Sequence, residues 1–166
     1  MSSWGSRPAF ALACWRLETP IGPLVLAGDR DALRVIRFHG HQDDAWVVDR
    51  APFRDAIEQL KAYFAGKLTV FNLTLAPEGT PFQQSVWRAL LDIPYGETTS
   101  YGVVAKRIGK PSAIRAVGAA NGANPIPIVI PCHRVIGSNG KLTGFGGGLP
   151  VKELLLKLES RQLHIL

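Results

Sequence analysis

The stretch SYGVVAKRIGKPSAIRAVGAANG, residues 100–122, decides how the second half of this chain is read. Ser100 is a preferred N-cap type, so a short helix is expected from Tyr101 to Ile108. Gly109-Lys110-Pro111 makes a turn, and Ser112 is expected to cap a second helix running to about Gly122. Two short helices joined by a tight, glycine-containing turn form the helix-turn-helix pattern, although many helical pairs share it. Ala113, Ala116, Gly118, Ala119, Ala120 and Gly122 leave the second helix unusually bare, although each interior glycine costs ~1 kcal/mol. Close packing on the protein's own core and close approach to a DNA groove explain that smoothness equally well. Arg115 then falls at the third helical position, where the macrodipole disfavours a cation. It is either a cation with an outward task or a plain solvated arginine.

Asn124-Pro125-Ile126-Pro127-Ile128-Val129-Ile130-Pro131 follows directly. A residue before proline is pushed toward extended backbone, and Pro125 and Pro127 cannot donate ladder hydrogen bonds. The segment is therefore expected to be a stiff strap and not a central strand. It leads into Pro131-Cys132-His133-Arg134-Val135, which sets a thiol beside an imidazole. A free cysteine is usually a small core hydrophobe, and Cys14, inside the apolar run Phe10–Trp15, is read that way. Cys132 fits that reading poorly, because His133 and Arg134 offer the electropositive surroundings that lower a thiol pKa. In a strand Cys132 and His133 point to opposite faces, so the pair needs a bridging water or a tight turn to act together.

Downstream, Gly137-Ser138-Asn139-Gly140 is a turn, and Gly144-Phe145-Gly146-Gly147-Gly148 is a glycine-rich loop without the phosphate-binding GxxxxGK[ST] signature. The last helix, about Leu149–Glu159, aligns Val151, Leu155 and Glu159, so Glu159 shares an apolar strip and is placed to orient a histidine. Upstream, Ala76-Pro77-Glu78-Gly79 is the best domain boundary. Thr80 and Gln83 make a capping box for a helix carrying Val86, Leu90 and Ile93. Before the boundary, Ala11–Leu17, Leu24–Ala27 and Leu33–Phe38 read as strands. A helix opened by Pro52 carries Phe53, Ile57, Leu60 and Phe64 to Gly66, and Val70–Leu75 is expected to add a strand.

The 166 residues, 46% hydrophobic and 19% charged, suit a globular chain of one domain or two small ones. No apolar stretch approaches the ~20 residues of a membrane helix, and Met1-Ser2-Ser3-Trp4-Gly5 does not open a secretory signal. Two cysteines make no disulfide framework, and a reducing, cytoplasmic setting is expected. No zinc-ligand spacing is present, His39 and His41 lacking partners nearby. Residues 1–79 carry nine Lys/Arg and nine Asp/Glu, whereas residues 80–166 carry ten against four, a net of +6. The whole positive excess lies with Cys132. It is either a solubilising surface or the footprint of a polyanionic partner.

Taken together, Pro131–Val135, Asn124-Pro125-Ile126-Pro127, the helix pair with Arg115, and Gly144–Lys152 closely resemble the O6-alkylguanine-DNA alkyltransferases, over about residues 80–160. The N-terminal half matches more loosely. The resemblance implies an α/β domain over residues 1–76, a small antiparallel sheet plus helix. A mainly α domain over 80–166 follows, with the helix-turn-helix at about 100–123 and an acceptor motif at 131–135. It implies repair of double-stranded DNA containing O6-alkylguanine, less well O4-alkylthymine, by irreversible transfer of the alkyl group to the protein's own cysteine. The damaged base is flipped into a pocket, at a cost of a few kcal/mol. Cys132 matches the acceptor, His133 the base acting through a water, Glu159 the carboxylate orienting it, and Asn124 the hinge bracing the turn. Arg115 matches the arginine filling the vacated space and Tyr101 the tyrosine that aids flipping. Ser138 is expected to contact DNA, and Tyr101, Val135, Phe145 and Gly146 to line the pocket. The thioether product has no ready hydrolytic route back, so each molecule acts once, as a monomer, without cofactor or membrane.

Two positions depart from animal relatives: Phe145 stands where a tyrosine is common, and Gly146 where a serine occurs. Tolerance of adducts larger than methyl is expected. The zinc site of some animal members is not expected, with Asp29 and Arg34 near its ligand positions. The rivals are a damage-sensing module without transfer, a cysteine hydrolase and a redox thiol. The acceptor cysteine argues against the first, the basic second half against the second, and the lack of a nearby resolving cysteine against the third.

Overall fold

The computed structural model describes Trp4, Arg7, Pro8 and residues 10–165, with side chains described as far as residue 160. Apart from Trp4, the N-terminal reading at residues 1–5 lies outside the described residues. The chain divides into two compact units, Met1–Gly79 and Thr80–Leu166.

In the first unit, β1 (Ala13–Leu17), β2 (Leu24–Gly28) and β3 (Leu33–Arg37) form the expected antiparallel meander. Its order is β3-β2-β1-β4, because the two-residue strand β4 (Val47–Val48) adds to β1 in parallel. The sheet is therefore mixed, where a purely antiparallel one was expected. β2 is buried along its whole length. Cys14, Val25 and Ala27 form one apolar cluster with Leu12, Val35 and Trp46, so Cys14 is a core residue as read. A 3-10 turn (Ala51–Phe53) carrying Pro52 leads into α1 (Arg54–Phe64), which buries Ala56, Ile57, Leu60 and Tyr63. The strand expected at Val70–Leu75 reduces to a single bridge between Leu33 and Leu75. The cause is local. The Gln59 side chain takes both backbone groups of Asn72, at 2.8 and 3.0 Å, leaving nothing there for a ladder.

The second unit begins with α2 (Pro81–Leu91). Its capping box is formed: Gln83 N donates to Thr80 Oγ1 at 3.1 Å and Thr80 N to Gln83 Oε1 at 2.9 Å. Val86, Trp87 and Leu90 are buried. The Trp87 indole donates to Ala120 O at 2.8 Å, tying α2 to α4 (Ile114–Gly122). Burying side chains of this size contributes roughly 1.5–3 kcal/mol each. β5 (Thr99–Ser100) pairs in parallel with β6 (Val135–Ile136). Ser100 then caps α3 (Tyr101–Arg107), accepting from Val103 N at 3.2 Å.

The turn between α3 and α4 is set by Gly109 at φ +75. Gly109 N donates to Lys106 O and Lys110 N to Ala105 O, the paired reversed bonds that close a glycine-ended helix. The helix pair is as expected, but its second member starts late. Ala113, not Ser112, is the N-cap, and it makes no side-chain cap bond. Arg115 is therefore the second helical residue and not the third. α5 (Leu149–Ile165) runs well past the expected end at Glu159. Among the described residues no helix is long and apolar enough to cross a membrane.

Candidate active site

The strap before the thiol is folded and not extended. Asn124 Oδ1 accepts from Ile126 N at 3.0 Å, Ile126 O accepts from Ile130 N at 2.9 Å, and Pro127 bridges to Ile130. The reversal falls at Ile128, whose φ of +75 is rare for any side chain and costly for a β-branched one. Proline restricts the residues before it, but Ile128 and Val129 precede no proline, and there the chain turns back. Pro131 (φ −81, ψ 64) then makes an inverse γ-turn, with Cys132 N donating to Ile130 O at 2.8 Å. Cys132–Arg134 continues as one turn of 3-10 helix. The backbone makes a tight turn here, but the turn alone does not join thiol and imidazole, because His133 Nδ1 has no hydrogen-bond partner in the protein.

Asn124 also donates from Nδ2 to Ile130 O at 2.8 Å, so one side chain clamps both ends of the loop. Asn121 donates to Cys132 O at 3.4 Å. These bonds fix a thiol that is 4% exposed. Burial pushes its pKa up to about 11, against the opposing pull of an Asn124 hydrogen bond and the Lys152 ammonium. The expectation of a lowered thiol pKa from its two basic neighbours in sequence is overturned. The guanidinium of Arg134 is occupied elsewhere, and His133 is neutral.

His133 is wholly buried, and its Nε2 lies 2.7 Å from Glu159 Oε2. Burial lowers its pKa, outweighing the Glu159 carboxylate that raises it. Glu159 is itself buried, which works against ionisation, yet hydrogen bonds and charge from His133 and Arg134 bring it to about 2. An ionised carboxylate only accepts, so Nε2 carries the imidazole proton. Nδ1 is then a bare lone pair, and it has no hydrogen-bond partner in the protein. A buried acceptor left in that state is a base.

Arg134 donates to both Glu159 oxygens, from Nε at 2.8 Å and Nη2 at 3.1 Å, and from Nη1 to Ile93 O at 2.7 Å. Gly96 N also donates to this carboxylate, at 3.5 Å. Lys152, fully buried on α5, donates to Val135 O at 2.7 Å and Thr143 O at 3.4 Å. Its pKa is lowered by burial.

Tyr101, at the start of α3, hydrogen-bonds through its hydroxyl to Thr143, and its ring lies about 4 Å from where a Cβ on Gly118 would sit. A side chain at Gly118 would thus meet only ordinary contact, so core packing does not by itself demand that glycine. Val135 is buried directly after the Cys132 turn, and β6 carries it alongside Thr99. Phe145 is half-buried, and Gly146 is exposed with nothing within 4 Å of an added Cβ. Arg115 and Ser138 are exposed, on α4 and on the 137–140 turn, apart from the buried cluster.

The structure thus gathers Cys132, His133, Glu159 and Asn124 around one turn. It adds Lys152, Asn121 and Thr143, to which the sequence reading gave no role, and it places Arg134, expected to act on the thiol, on Glu159 instead. Lys152 had a legible signal, since it lies three and seven residues before Leu155 and Glu159 on one helical face. Among the described residues no group of three or more His, Cys, Asp or Glu side chains could hold a metal ion. Asp29 and Arg34, near the animal zinc positions, instead pair with each other at 3.0 Å.

Residues 81–161 match the family described as 6-O-methylguanine DNA methyltransferase, DNA binding domain, and residues 13–77 match its ribonuclease-like domain. The methylated-DNA–protein-cysteine methyltransferase of Methanosarcina acetivorans is 58% identical over 147 residues, 86% of this chain and 94% of that protein. The protein of the same name from Mycobacterium tuberculosis is 54% identical over 86% of this chain and 89% of its own length. In structure, Mycobacterium tuberculosis O6-methylguanine methyltransferase superposes with a TM-score of 0.85 at 52% identity, covering 91% of this chain and 94% of that one. The Mycobacterium tuberculosis OGT in complex with DNA also gives 0.85, at 54% identity, over 89% and 92%.

Proposed function

Since the chain belongs to the 6-O-methylguanine DNA methyltransferase family, we propose that Cys132 is its alkyl acceptor and that His133, Glu159 and Asn124 make that thiol competent. The activity is that of a methylated-DNA–protein-cysteine methyltransferase, a DNA repair function, and DNA is the partner. One observation carries the assignment of roles: the buried thiol follows directly on a loop clamped by Asn124 and precedes a buried imidazole whose proton is pinned by Glu159.

With a thiol pKa of about 11, only about one thiol in ten thousand is ionised at pH 7. The proton must leave as the reaction proceeds. His133 Nδ1 takes it through one water, and Glu159 stabilises the imidazolium that forms. The sulfur lone pair forms a bond to the alkyl carbon, the carbon–O6 bond breaks, and its electron pair moves into the guanine. The proton that left the thiol ends on the restored guanine. Sulfur holds the alkyl group as a thioether, with no hydrolytic way back, so each monomer acts once. Asn124 and Lys152 favour the developing thiolate, the one by a hydrogen bond and the other by its charge.

The substrate is O6-alkylguanine, and O4-alkylthymine less well, in duplex DNA and flipped from the stack. Arg115 on the exposed face of α4 fills the gap, Tyr101 assists, and Ser138 contacts the strand. The net +6 of residues 80–166 supports a phosphate-facing surface. The β5–β6 ladder joins Ser100, the cap of α3, to the two residues after the Cys132 turn, so docking through the helix pair also positions the thiol. Val135, Phe145 and Gly146 line the pocket with Tyr101. The open space at Gly146 supports tolerance of ethyl and benzyl adducts. A cytoplasmic setting keeps the thiol reduced.

The test is the mass of the Cys132 peptide after mixing with a duplex bearing one O6-methylguanine. One added methyl, saturating at one per chain, is the expected result. DNA bound with Cys132 unmodified would overturn the assignment in favour of a damage-sensing module.

A further inference from the structure

Glu159 is shared. Its two oxygens receive one proton from His133 and two from Arg134, all in a region closed to water. A carboxylate that serves the imidazole alone would draw the proton strongly and favour the imidazolium. That form is useless as a base. A guanidinium on the same carboxylate offsets part of its charge and, standing one residue along the chain, repels a second positive charge on His133.

We propose that Arg134 is a positioning residue for the transfer reaction: by its two-pronged hold on Glu159 it keeps His133 neutral and keeps its Nδ1 free to receive the thiol proton. The inference rests on the acceptor reading of Cys132 and deepens it.

The geometry favours this over a purely structural tie. Arg134 could anchor the Cys132–Arg134 turn to the turn after α2 through Ile93 O alone, at 2.7 Å. Instead its Nε and Nη2 face the carboxylate in the bidentate arrangement that only arginine provides. Its Cζ also lies over the Tyr95 ring, 5.6 Å from the centroid, a further contact that holds the fork. The remaining ionisable groups around His133 act in the same direction or are neutral. Cys132, on the same turn, is a protonated thiol at rest. Lys152 on α5 is a cation and disfavours a second one. Tyr95, on the turn after α2, has its ionisation suppressed by burial and by Glu159. Glu159 is the anion among these groups, and Arg134 donates to both of its oxygens as well as to Ile93 O.

The experiment is histidine 15N NMR on the intact protein, paired with the pH dependence of the transfer rate, for the wild type, Arg134→Gln and Arg134→Lys. In the wild type, His133 should be the neutral Nε2–H form at pH 7, titrating below the ordinary histidine range. Arg134→Gln should raise that titration by about one pH unit. The acid limb of the rate profile should move with it, a loss of about tenfold at pH values below the limb. Arg134→Lys, which keeps the charge, should recover most of the shift. A folded Arg134→Gln protein whose His133 titration stays put, with the rate reduced equally at every pH, would make Arg134 a structural tie only. Should neither variant fold, the wild-type spectrum decides: His133 protonated at pH 7 overturns the proposal. The NMR readout needs no alkyl transfer, so failure of the acceptor reading, seen as an unmodified Cys132, is distinguishable from failure of this one.

Discussion

The Glu159 carboxylate accepts the Nε2 proton of His133 at 2.7 Å with both side chains closed to solvent. That bond ties the middle of the acceptor motif to a residue of α5, 26 positions further along the chain. Because the carboxylate stays ionised to about pH 2, it fixes which imidazole nitrogen holds the proton and leaves the other bare. The reactivity of the thiol, the acid stability of the unit and the cost of several substitutions all follow from this arrangement.

Removing the carboxylate charge should be expensive. Glu159→Gln leaves the Arg134 guanidinium buried without its counter-charge, and breaking a buried pair from one side costs about 3–5 kcal/mol. Urea denaturation should show a loss of this size together with a fall in transfer. A loss under about 1 kcal/mol would mean that water reaches the pair.

Acid should destabilise the protein through the same group. Glu159 binds its proton at about 2 when folded, below its ordinary 4.5. The unfolded chain therefore takes up the proton first as pH falls, so stability rises with pH across this window. The contribution is complete above about pH 4.5 and lost on descending toward 2. Thermal melts from pH 6 to 2.5 should fall across that range, and Glu159→Gln should flatten the dependence.

Cys132 should be a poor nucleophile toward general reagents. With its pKa at about 11, iodoacetamide at pH 7.5 should label the native thiol far more slowly than the same residue in urea-unfolded protein. Peptide mass analysis reads Cys132 and Cys14 separately. Faster labelling in the native state than in urea would show a thiolate already formed.

Lys152→Met removes the buried ammonium and leaves Val135 O and Thr143 O without their donor. Unsatisfied buried groups cost about 1–3 kcal/mol. The substitution should also slow transfer, since Lys152 is the cation that favours the thiolate. Rate and stability measured together separate the two effects. Unchanged transfer in a destabilised variant would confine Lys152 to packing.

The exposed residues should behave differently from the buried ones. Arg115→Ala should leave stability within about 0.5 kcal/mol, as for a surface change, and reduce transfer from duplex DNA more than from the free alkylated base. Equal losses on both substrates would remove Arg115 from any role in flipping. Cys132→Ala should abolish transfer and retain DNA binding.

The sequence by itself determined most of what depends on near neighbours, the Ser112 cap excepted. The capping box at Thr80 and Gln83, the Ser100 cap, the glycine turn at 109 and the apolar faces of α1 and α2 rest on contacts within a few residues. Periodicity also placed Glu159 in line with Val151 and Leu155. The same local logic failed where a more distant partner intervened. Gln59 occupies the backbone of Asn72 and cancels a strand, and the loop from 124 to 130 folds on the Asn124 side chain where the prolines promised an extended strap.

Only the tertiary structure decided the chemistry of the thiol. Adjacent His133 and Arg134 read in sequence as positive charge beside sulfur, yet one is neutral and the other is bound to Glu159, 25 residues away. The cation that does act on the thiol is Lys152, brought in from α5. Burial sets the sign of each of these shifts, because transfer out of water penalises whichever form is charged. Burial belongs to the packed unit as a whole, and no short stretch of sequence contains it.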